Sequence, residues 1–205
     1  MKTKLVLYIL TAVCCLSLAV SQESHTKIGV GVSLNPTALF NSSTSSTLFL
    51  PVGFTNIYIP IMVSANFRIE PEAGIYSLSS ENTSGSFTSK STSTMLRLGL
   101  GLLYVFSSES SFSSYVGPRL GILSNSSTSS STGSSELKTS ETDFFIGLCV
   151  GGEHSFSSHF SIGGEVQMNY ISFGEPDRTP APSTTSTRTQ SAFTNNALMF
   201  FRWYF

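Results

Sequence analysis

Apolar and polar residues alternate with a period of two along much of the chain after residue 26, and polar stretches interrupt the alternation. A period of two is typical of β-strands, because successive side chains of a strand point to opposite faces. The pattern predicts eight strands, with ends accurate to a few residues. Their ranges are 27–35, 55–64, 68–79, 93–107, 113–124, 142–154, 159–172 and 192–205.

The connections between these strands alternate between short and long. Short turns follow the second, fourth and sixth strands, whereas the other connections are rich in Ser, Thr, Asn and Pro and cover 36–54, 80–92, 125–141 and 173–191. A transmembrane β-barrel has this arrangement, with short periplasmic turns and long external loops, whereas a soluble β-sandwich gives no reason for it. The sequence therefore predicts an all-β fold, an eight-stranded antiparallel up-and-down transmembrane β-barrel with flexible, solvated external loops.

The two faces of the predicted strands differ in polarity. In the fourth strand, Leu96, Leu98 and Leu100 share one face, while Arg97 and Gly99 lie on the other. Apolar residues facing lipid and polar residues facing the interior are expected of a membrane barrel. The same assignment for every strand directs eight charged side chains inward, namely Arg68, Glu70, Glu72, Arg97, Arg119, Glu153, Glu165 and Arg202.

These inward charges predict a closed interior. An eight-stranded barrel is narrow enough for side chains to fill, and an isolated charge inside it would carry a high desolvation cost. Four arginines and four glutamates cancel, so the network can satisfy itself. We also expect the glycines that recur on the inward face to make room for larger side chains opposite them. The prediction is a charge-paired plug instead of an open channel.

Residues 1–21 are typical of a secretory signal peptide, and the barrel domain is expected to occupy 22–205. Lys2 and Lys4 precede an apolar run, and Ala19 and Ser21 are small residues at the −3 and −1 positions of a cleavage site. Cys14 and Cys15 leave a lipoprotein signal as an alternative, but the residues before them are not those that lipoprotein processing favours. We therefore expect cleavage after residue 21.

Composition narrows the class of protein further. The chain is 40% hydrophobic and only 11% charged, which suits a protein surrounded partly by lipid. After residue 21 no window approaches the roughly 18 consecutive apolar residues of a transmembrane helix. Without the leader, nine basic and twelve acidic residues remain, a formal charge of −3, so nucleic acid is not an expected partner. Cys149 is then the single cysteine, which excludes an intramolecular disulfide.

Candidate catalytic chemistry is sparse. The sequence has no phosphate-binding glycine loop, zinc-ligand spacing or Gly-x-Ser-x-Gly motif, and its histidines are His25, His154 and His159. An outer-membrane lipid hydrolase or protease is an alternative, but His154 and His159 flank a short, periplasmic turn. Cys149 is expected to be a small buried thiol with no base beside it. We therefore predict no catalytic, cofactor-binding or metal site and no enzymatic activity.

The last predicted strand alternates aromatic residues and ends on one. Phe201, Trp203 and Phe205 share the lipid face, whereas Arg202 and Tyr204 face inward. Here the chain resembles the small OmpX/OmpA-like outer-membrane β-barrels, as it also does in the segments 57–61 and 67–72. The resemblance implies a bacterial outer-membrane location, the lipid bilayer as surroundings, and a C-terminal signal, formed by the three outward aromatics, for the barrel assembly machinery.

The resemblance does not select one function, because such barrels serve membrane integrity, adhesion, host contact or solute passage. We expect a structural or surface-interaction role in which the external loops contact a ligand that the sequence does not identify. The alternative is a narrow passive pore for small solutes.

Overall fold

The computed structural model describes residues 27–34, 56–109, 111–180 and 190–205, and every structural statement below concerns these residues. They form β-strands without a helix, and none forms a helix long and apolar enough to cross a membrane. The predicted signal peptide and the predicted loop 36–54 lie outside the described residues. The strands are β1 Gly29–Leu34, β2 Asn56–Tyr58, β3 Ile61–Ser64, β4 Phe67–Ser84, β5 Phe87–Glu109, β6 Phe112–Ser131, β7 Leu137–Ser155, β8 Phe160–Phe173, β9 Asp177–Thr179 and β10 Gln190–Tyr204.

The strands close into an antiparallel barrel. The sheet runs β1, β10, β8, β7, β6, β5, β4, and β2 pairs with both β4 and β1, which joins the two ends. β2 and β3 form one barrel strand that is interrupted at Ile59 and Pro60, where proline has no N–H for the ladder. β9 pairs only with the outer part of β7. The barrel proper therefore has eight strands, which confirms the predicted fold class.

The prediction of flexible loops at 80–92 and 125–141 is wrong, because both segments are largely β-strand. β4 and β5 pair as far as Ser84 opposite Phe87, and β6 and β7 pair as far as Ser129 opposite Leu137. We call residues 77–94 the first outer hairpin and residues 124–142 the second. Apart from Leu78, Phe87 and Leu137, both faces of these hairpins are mostly polar, so hydrophobic alternation gave no signal there.

Cross-strand hydroxyl pairs accompany the extension of the first outer hairpin. The hydroxyl oxygens of Ser79 and Thr92 are 3.2 Å apart, and those of Ser77 and Thr94 are also 3.2 Å apart. Such pairs stabilise neighbouring strands, and β-branched threonine favours strand geometry. Gly85 closes the hairpin at a positive φ of 59°, a conformation that glycine adopts without steric cost. A Ser/Thr-rich segment is therefore ordered here by its pairing.

The two surfaces of the barrel have the polarity of a membrane protein. Large apolar side chains point outward and are exposed, for example Ile75, Leu148 and Met168, while most buried side chains of the interior are polar or charged. The short turns at 65–66 and 156–159 lie at the end where Tyr204 meets Gly29. In bacterial outer-membrane barrels, short turns face the periplasm, so the outer hairpins project from the external end.

Candidate functional site

The eight charged residues predicted to face inward all have buried side chains, and none is more than 5% exposed. They come from six different strands. β4 contributes three, and the alternation of its side chains places Arg68, Glu70 and Glu72 on one face. The other five are Arg97 on β5, Arg119 on β6, Glu153 on β7, Glu165 on β8 and Arg202 on β10.

Arg119 is the centre of this network. Its Nε lies 2.7 Å from Oε1 of Glu165, and its Nη2 lies 2.5 Å from Oε1 of Glu70. Its Nη1 is 3.2 Å from Oε2 of Glu72. One guanidinium therefore contacts three carboxylates from two strands on different sides of the lumen, in the fork geometry for which arginine is suited.

The network continues in both directions along the barrel axis. Toward the external end, Glu72 accepts a hydrogen bond from Nε of Arg97 at 2.7 Å. Toward the short-turn end, Nη2 of Arg202 donates to Glu70 at 2.7 Å, and Nη1 of Arg202 donates to Glu153 at 2.6 Å. Arg68 donates to the same Glu153 oxygen at 2.9 Å. All eight charges are thus connected through direct ion pairs.

Neutral groups complete the hydrogen bonding of the carboxylates. Tyr115 donates its hydroxyl to Glu165 at 2.7 Å, and Gln167 donates to the same carboxylate at 2.6 Å. Ser161 and Tyr204 both donate to Oε1 of Glu153, at 2.6 and 2.7 Å. The sequence pattern did not identify Tyr115, Ser161 or Gln167 as site residues. A usable signal was that each lies an even number of residues from an inward charge on the same strand and therefore also faces the lumen.

Aromatic rings cover the faces of the guanidinium groups. The Arg202 guanidinium carbon lies 3.8 Å from the ring centroid of Phe200, and that of Arg97 lies 4.1 Å from the centroid of Phe145. Cation–π contacts of this kind add to the attraction of the ion pairs, most strongly where water is excluded. Inward aromatic residues therefore help to fill the lumen around the charges.

Two glycines on β5 leave the space that the network occupies. A Cβ atom at Gly99 would lie 2.6 Å from Oε1 of Glu72, and one at Gly101 would lie 2.8 Å from Nη1 of Arg119. Both distances are too short for non-bonded atoms. A larger residue at either position would therefore have to displace the Glu72 carboxylate or the Arg119 guanidinium, which lie against the β5 backbone.

A cavity of about 400 Å³, which we call the external cavity, opens above Arg97 on the side of the outer hairpins. Inward side chains of β5 to β8 and β10 line it. Arg97, Phe145 and Asn169 lie at the depth where the charge network begins, so the network closes the cavity from below. The pattern of residues along the chain does not predict this cavity, because the cavity volume depends on how the strands stagger.

Asp143 is a further buried acid that we did not single out from the sequence. Its side chain accepts hydrogen bonds from Asn125 Nδ2 and from the backbone N–H of Gly174, each at 3.0 Å. It holds the segment that follows β8 against β6 and β7 at the rim of the external cavity. The available signal was that Asp143 lies two residues before Phe145 on β7, so both side chains face the interior.

The residues considered for catalysis are not arranged for it. His154 and His159 are exposed near the turn 156–159, where His154 packs edge-on against Phe156 and His159 stacks on Trp203. Cys149 is buried, and its Sγ donates to the carbonyl of Gly117 at 3.3 Å. Within the described ranges, no group of three His, Cys, Asp or Glu side chains is placed to hold a metal ion.

Of the three C-terminal aromatics predicted as an assembly signal, Phe201 and Trp203 lie on the outward face of β10, and Phe205 directly follows this strand. Trp203 and Phe205 are exposed, and Phe201 is partly buried. Trp203 packs against Phe160 of the neighbouring strand. Arg202 alternates with them and points into the lumen, so one short segment serves both the lipid face and the interior network.

Residues 6–194 match the model of a family described as the outer membrane protein beta-barrel domain. The chain belongs to this family. The family, together with the closed barrel, confirms the expected resemblance and places the protein in the lipid bilayer of the bacterial outer membrane. A search of curated proteins found no significant match.

A comparison with solved structures finds several bacterial outer-membrane proteins. Ail, the attachment invasion locus protein of Yersinia pestis, superposes with a TM-score of 0.50 at 11% identity, over 87% of this chain and 95% of that chain. Neisserial surface protein A gives 0.49 at 16% identity, over 89% and 98%. A major outer membrane protein from Thermus thermophilus gives 0.48 at 12% identity, over 88% and 100%. The likeness to Ail shows the fold alone.

Proposed function

We propose that this family member is a non-conducting barrel with a structural or surface-interaction role, closed by its charge network and presenting its outer hairpins to the surroundings. The observation that carries the proposal is the continuity of the network across the lumen. From Arg97 to Arg68 every ionic side chain contacts the next, and each is at least nine-tenths buried.

The network argues against the alternative of a narrow passive pore. A solute on the barrel axis would have to separate Arg119 from Glu70, Glu72 or Glu165. Breaking a buried ion pair leaves uncompensated charges and costs several kcal/mol, about 3–5 for one partner removed. A hydrated path of molecular width is therefore not expected in this ground state.

We also propose that the protein is not an enzyme. The exposed histidines lie at the short-turn end, and the hydrogen-bond partner of the His159 ring is the backbone carbonyl of Tyr204 at 3.0 Å. General base catalysis requires a base within hydrogen-bond reach of a nucleophile or a substrate proton. Surface contact through the outer hairpins needs no such group, and binding residues commonly lie on segments that a rigid scaffold presents.

Conductance in a planar bilayer tests the closed lumen. We expect the refolded wild-type protein to give no current steps at neutral pH in concentrated KCl. The variant Lys138→Ala, which removes an exposed hairpin charge, is the matched control for effects of charge outside the lumen and is expected to be equally silent. Reproducible current steps from wild-type protein would establish the pore alternative instead.

Truncation of the second outer hairpin tests the interaction role. Deleting 127–139 and joining Ser126 to Ser140, which face each other in the ladder, through Asn-Gly should leave the barrel intact. Cells displaying wild-type protein are expected to bind at least one member of a glycan array or of a panel of immobilised matrix proteins. The truncated protein should lose that binding, whereas the corresponding deletion of 80–91 serves as the control for hairpin length. Unchanged binding after both deletions would contradict a role for the hairpins.

We further propose that Phe201, Trp203 and Phe205 form the signal for the barrel assembly machinery, after export directed by residues 1–21. Their outward position on the last strand supports this, because their rings are accessible before insertion. Changing Trp203 and Phe205 to Ser should reduce the amount of protein in the outer membrane several-fold but leave refolding into detergent micelles intact. Met199→Ser, on the same face, is the control. An equal loss of refolding in vitro would indicate a stability effect instead.

A further inference from the structure

The external cavity combines apolar walls with a polar floor. Met95, Leu123, Ile171 and Phe173 line its walls, and Arg97 and Asn169 lie at its base. Cavities of a few hundred Å³ with mostly apolar walls and a few convergent polar groups are typical of small-molecule sites. The volume of about 400 Å³ falls in that range.

Several polar atoms at this base have no hydrogen-bond partner within the part of the chain that the structure describes. They are Nη2 of Arg97, both Nδ2 and Oδ1 of Asn169, and Oγ1 of Thr194. Arg97 is 5% exposed and Asn169 only 2%. Thr194 lies directly opposite Asn169 in the pairing of β10 with β8. Buried polar groups are nearly always hydrogen-bonded, so an unpartnered cluster that lines one cavity points to a ligand.

The unpartnered atoms define which chemical groups would bind. The Asn169 carboxamide offers a donor and an acceptor side by side, which complements the carbonyl and N–H of an amide. Arg97 Nη2 adds a second donor for the carbonyl, and Thr194 can donate or accept. The pairing of Nε with Glu72 at 2.7 Å holds the Arg97 guanidinium in place.

The charges around the cavity favour a neutral ligand. Asp143 lines the wall and disfavours an anion, because like charges in a partly desolvated site repel. The guanidinium of Arg97 at the base disfavours a second cation there. We propose that the external cavity binds a small neutral molecule that carries an amide beside an apolar group, as the capped end of a short peptide does. Binding at this site does not depend on the hairpin contacts proposed above. It rests only on the proposed closure of the lumen, because the charge network forms the bottom of the cavity.

Titration of the refolded mature protein with N-acetyl-leucinamide tests the proposal. In detergent micelles, with isotope labelling, we expect saturable chemical-shift changes centred on residues 97, 169 and 194. The matched charged analogues are N-acetyl-leucine, an anion, and leucinamide, a cation, and both are expected to bind at least tenfold more weakly. Glucose, which offers hydroxyls without an amide, should also bind more weakly. No saturable shift with the neutral probe, or equal affinity for either charged analogue or for glucose, would overturn the proposal.

Two variants of the cavity base connect the binding to the named atoms. Asn169→Leu removes both amide atoms at similar volume and should weaken binding of N-acetyl-leucinamide at least tenfold. Thr194→Val keeps the side-chain shape and should weaken it about threefold. Asn195→Leu makes the same change on the exposed outward face of β10 and is expected to leave affinity unchanged. Unboiled gel mobility identical to wild type establishes folding, and unchanged affinity in the folded Asn169→Leu variant would refute the site. Conductance is measured separately, so an open lumen and an absent ligand site are distinguishable results.

Discussion

At the scale of single residues, the stability of the interior depends on each buried charge having an oppositely charged neighbour more than on the presence of charge itself. Arg119 contacts three carboxylates, so its removal would leave Glu70, Glu72 and Glu165 without their shared counter-ion. A buried ion pair is not in itself strongly stabilising, because desolvation offsets much of the Coulomb attraction. Its disruption is costly because the remaining charges stay buried. We therefore expect the barrel to tolerate the replacement of both partners of a buried ion pair better than the removal of one partner.

Replacing Arg119 by Met should lower the free energy of unfolding by about 3–5 kcal/mol, since uncompensated carboxylates remain in the lumen. Urea unfolding of protein refolded into lipid vesicles measures the change. Lys138→Met is the control, because Lys138 and Glu136 form an exposed pair at 3.0 Å that contributes about 0–1 kcal/mol. Equal effects of the two substitutions would mean that water reaches the interior charges.

Gly99→Ala should destabilise the barrel by about 1–3 kcal/mol, the usual cost of overpacking, because the new methyl group would meet the Glu72 carboxylate at 2.6 Å. Gly164→Ala is the matched control, since the nearest atom to a Cβ there is the Leu198 carbonyl oxygen at 3.6 Å. Both variants are compared by the same vesicle unfolding measurement. A neutral effect at Gly99 would show that Glu72 moves aside freely.

At the scale of elements, the outer hairpins extend β4 to β7 beyond the apolar band as ordered polar strands. Their hydroxyl pairs, such as that between Ser79 and Thr92 at 3.2 Å, present regular rows of donors and acceptors. A flexible loop of the same composition would present these groups in many arrangements and would lose more entropy on binding. The hairpin form therefore suits recognition on a surface.

A pair of cysteines tests the register of the first outer hairpin. Ser79→Cys combined with Thr92→Cys places the two thiols on directly opposed residues of the ladder, where Cβ atoms approach closely enough for a disulfide. Mild oxidation should cross-link this variant almost completely. Ser79→Cys with Thr94→Cys is one pair out of register and should cross-link much more slowly. Equal rates would indicate a flexible loop.

At the scale of the whole molecule, closure of the sheet holds the network together. Glu70 and Arg202 are 132 residues apart in sequence but lie 2.7 Å apart, because the pairing of β10 with β1 completes the barrel. Long-range contacts of this kind form only when the final strand is in place. We therefore expect closure of the barrel and pairing of its interior charges to occur together, in one cooperative step.

Heat-modifiable mobility reports this closure for the complete protein. Without boiling, the refolded mature chain should migrate on a denaturing gel as a compact, fast band, and boiling should convert it to a slower band as the sheet opens. Circular dichroism of the unboiled sample should show a β spectrum. Identical mobility before and after boiling would contradict a closed barrel in detergent. The Arg119→Met variant is expected to convert at a lower temperature than wild type.

The amino-acid sequence alone was sufficient for the number of barrel strands and for the inward direction of Arg97, Arg202 and the other six charges, because the alternation of side chains across a strand is a local geometric property. The local sequence pattern did not predict the outer hairpins, because Ser and Thr on two solvated faces produce no hydrophobic alternation. Pairing with the neighbouring strand is what orders these residues. Nor could the local pattern show that Arg119 joins three carboxylates or that Asn169 lies unpaired beside Thr194. Those contacts depend on the stagger and closure of the strands, which bring distant residues to the same height in the lumen, and only the tertiary structure decides that height.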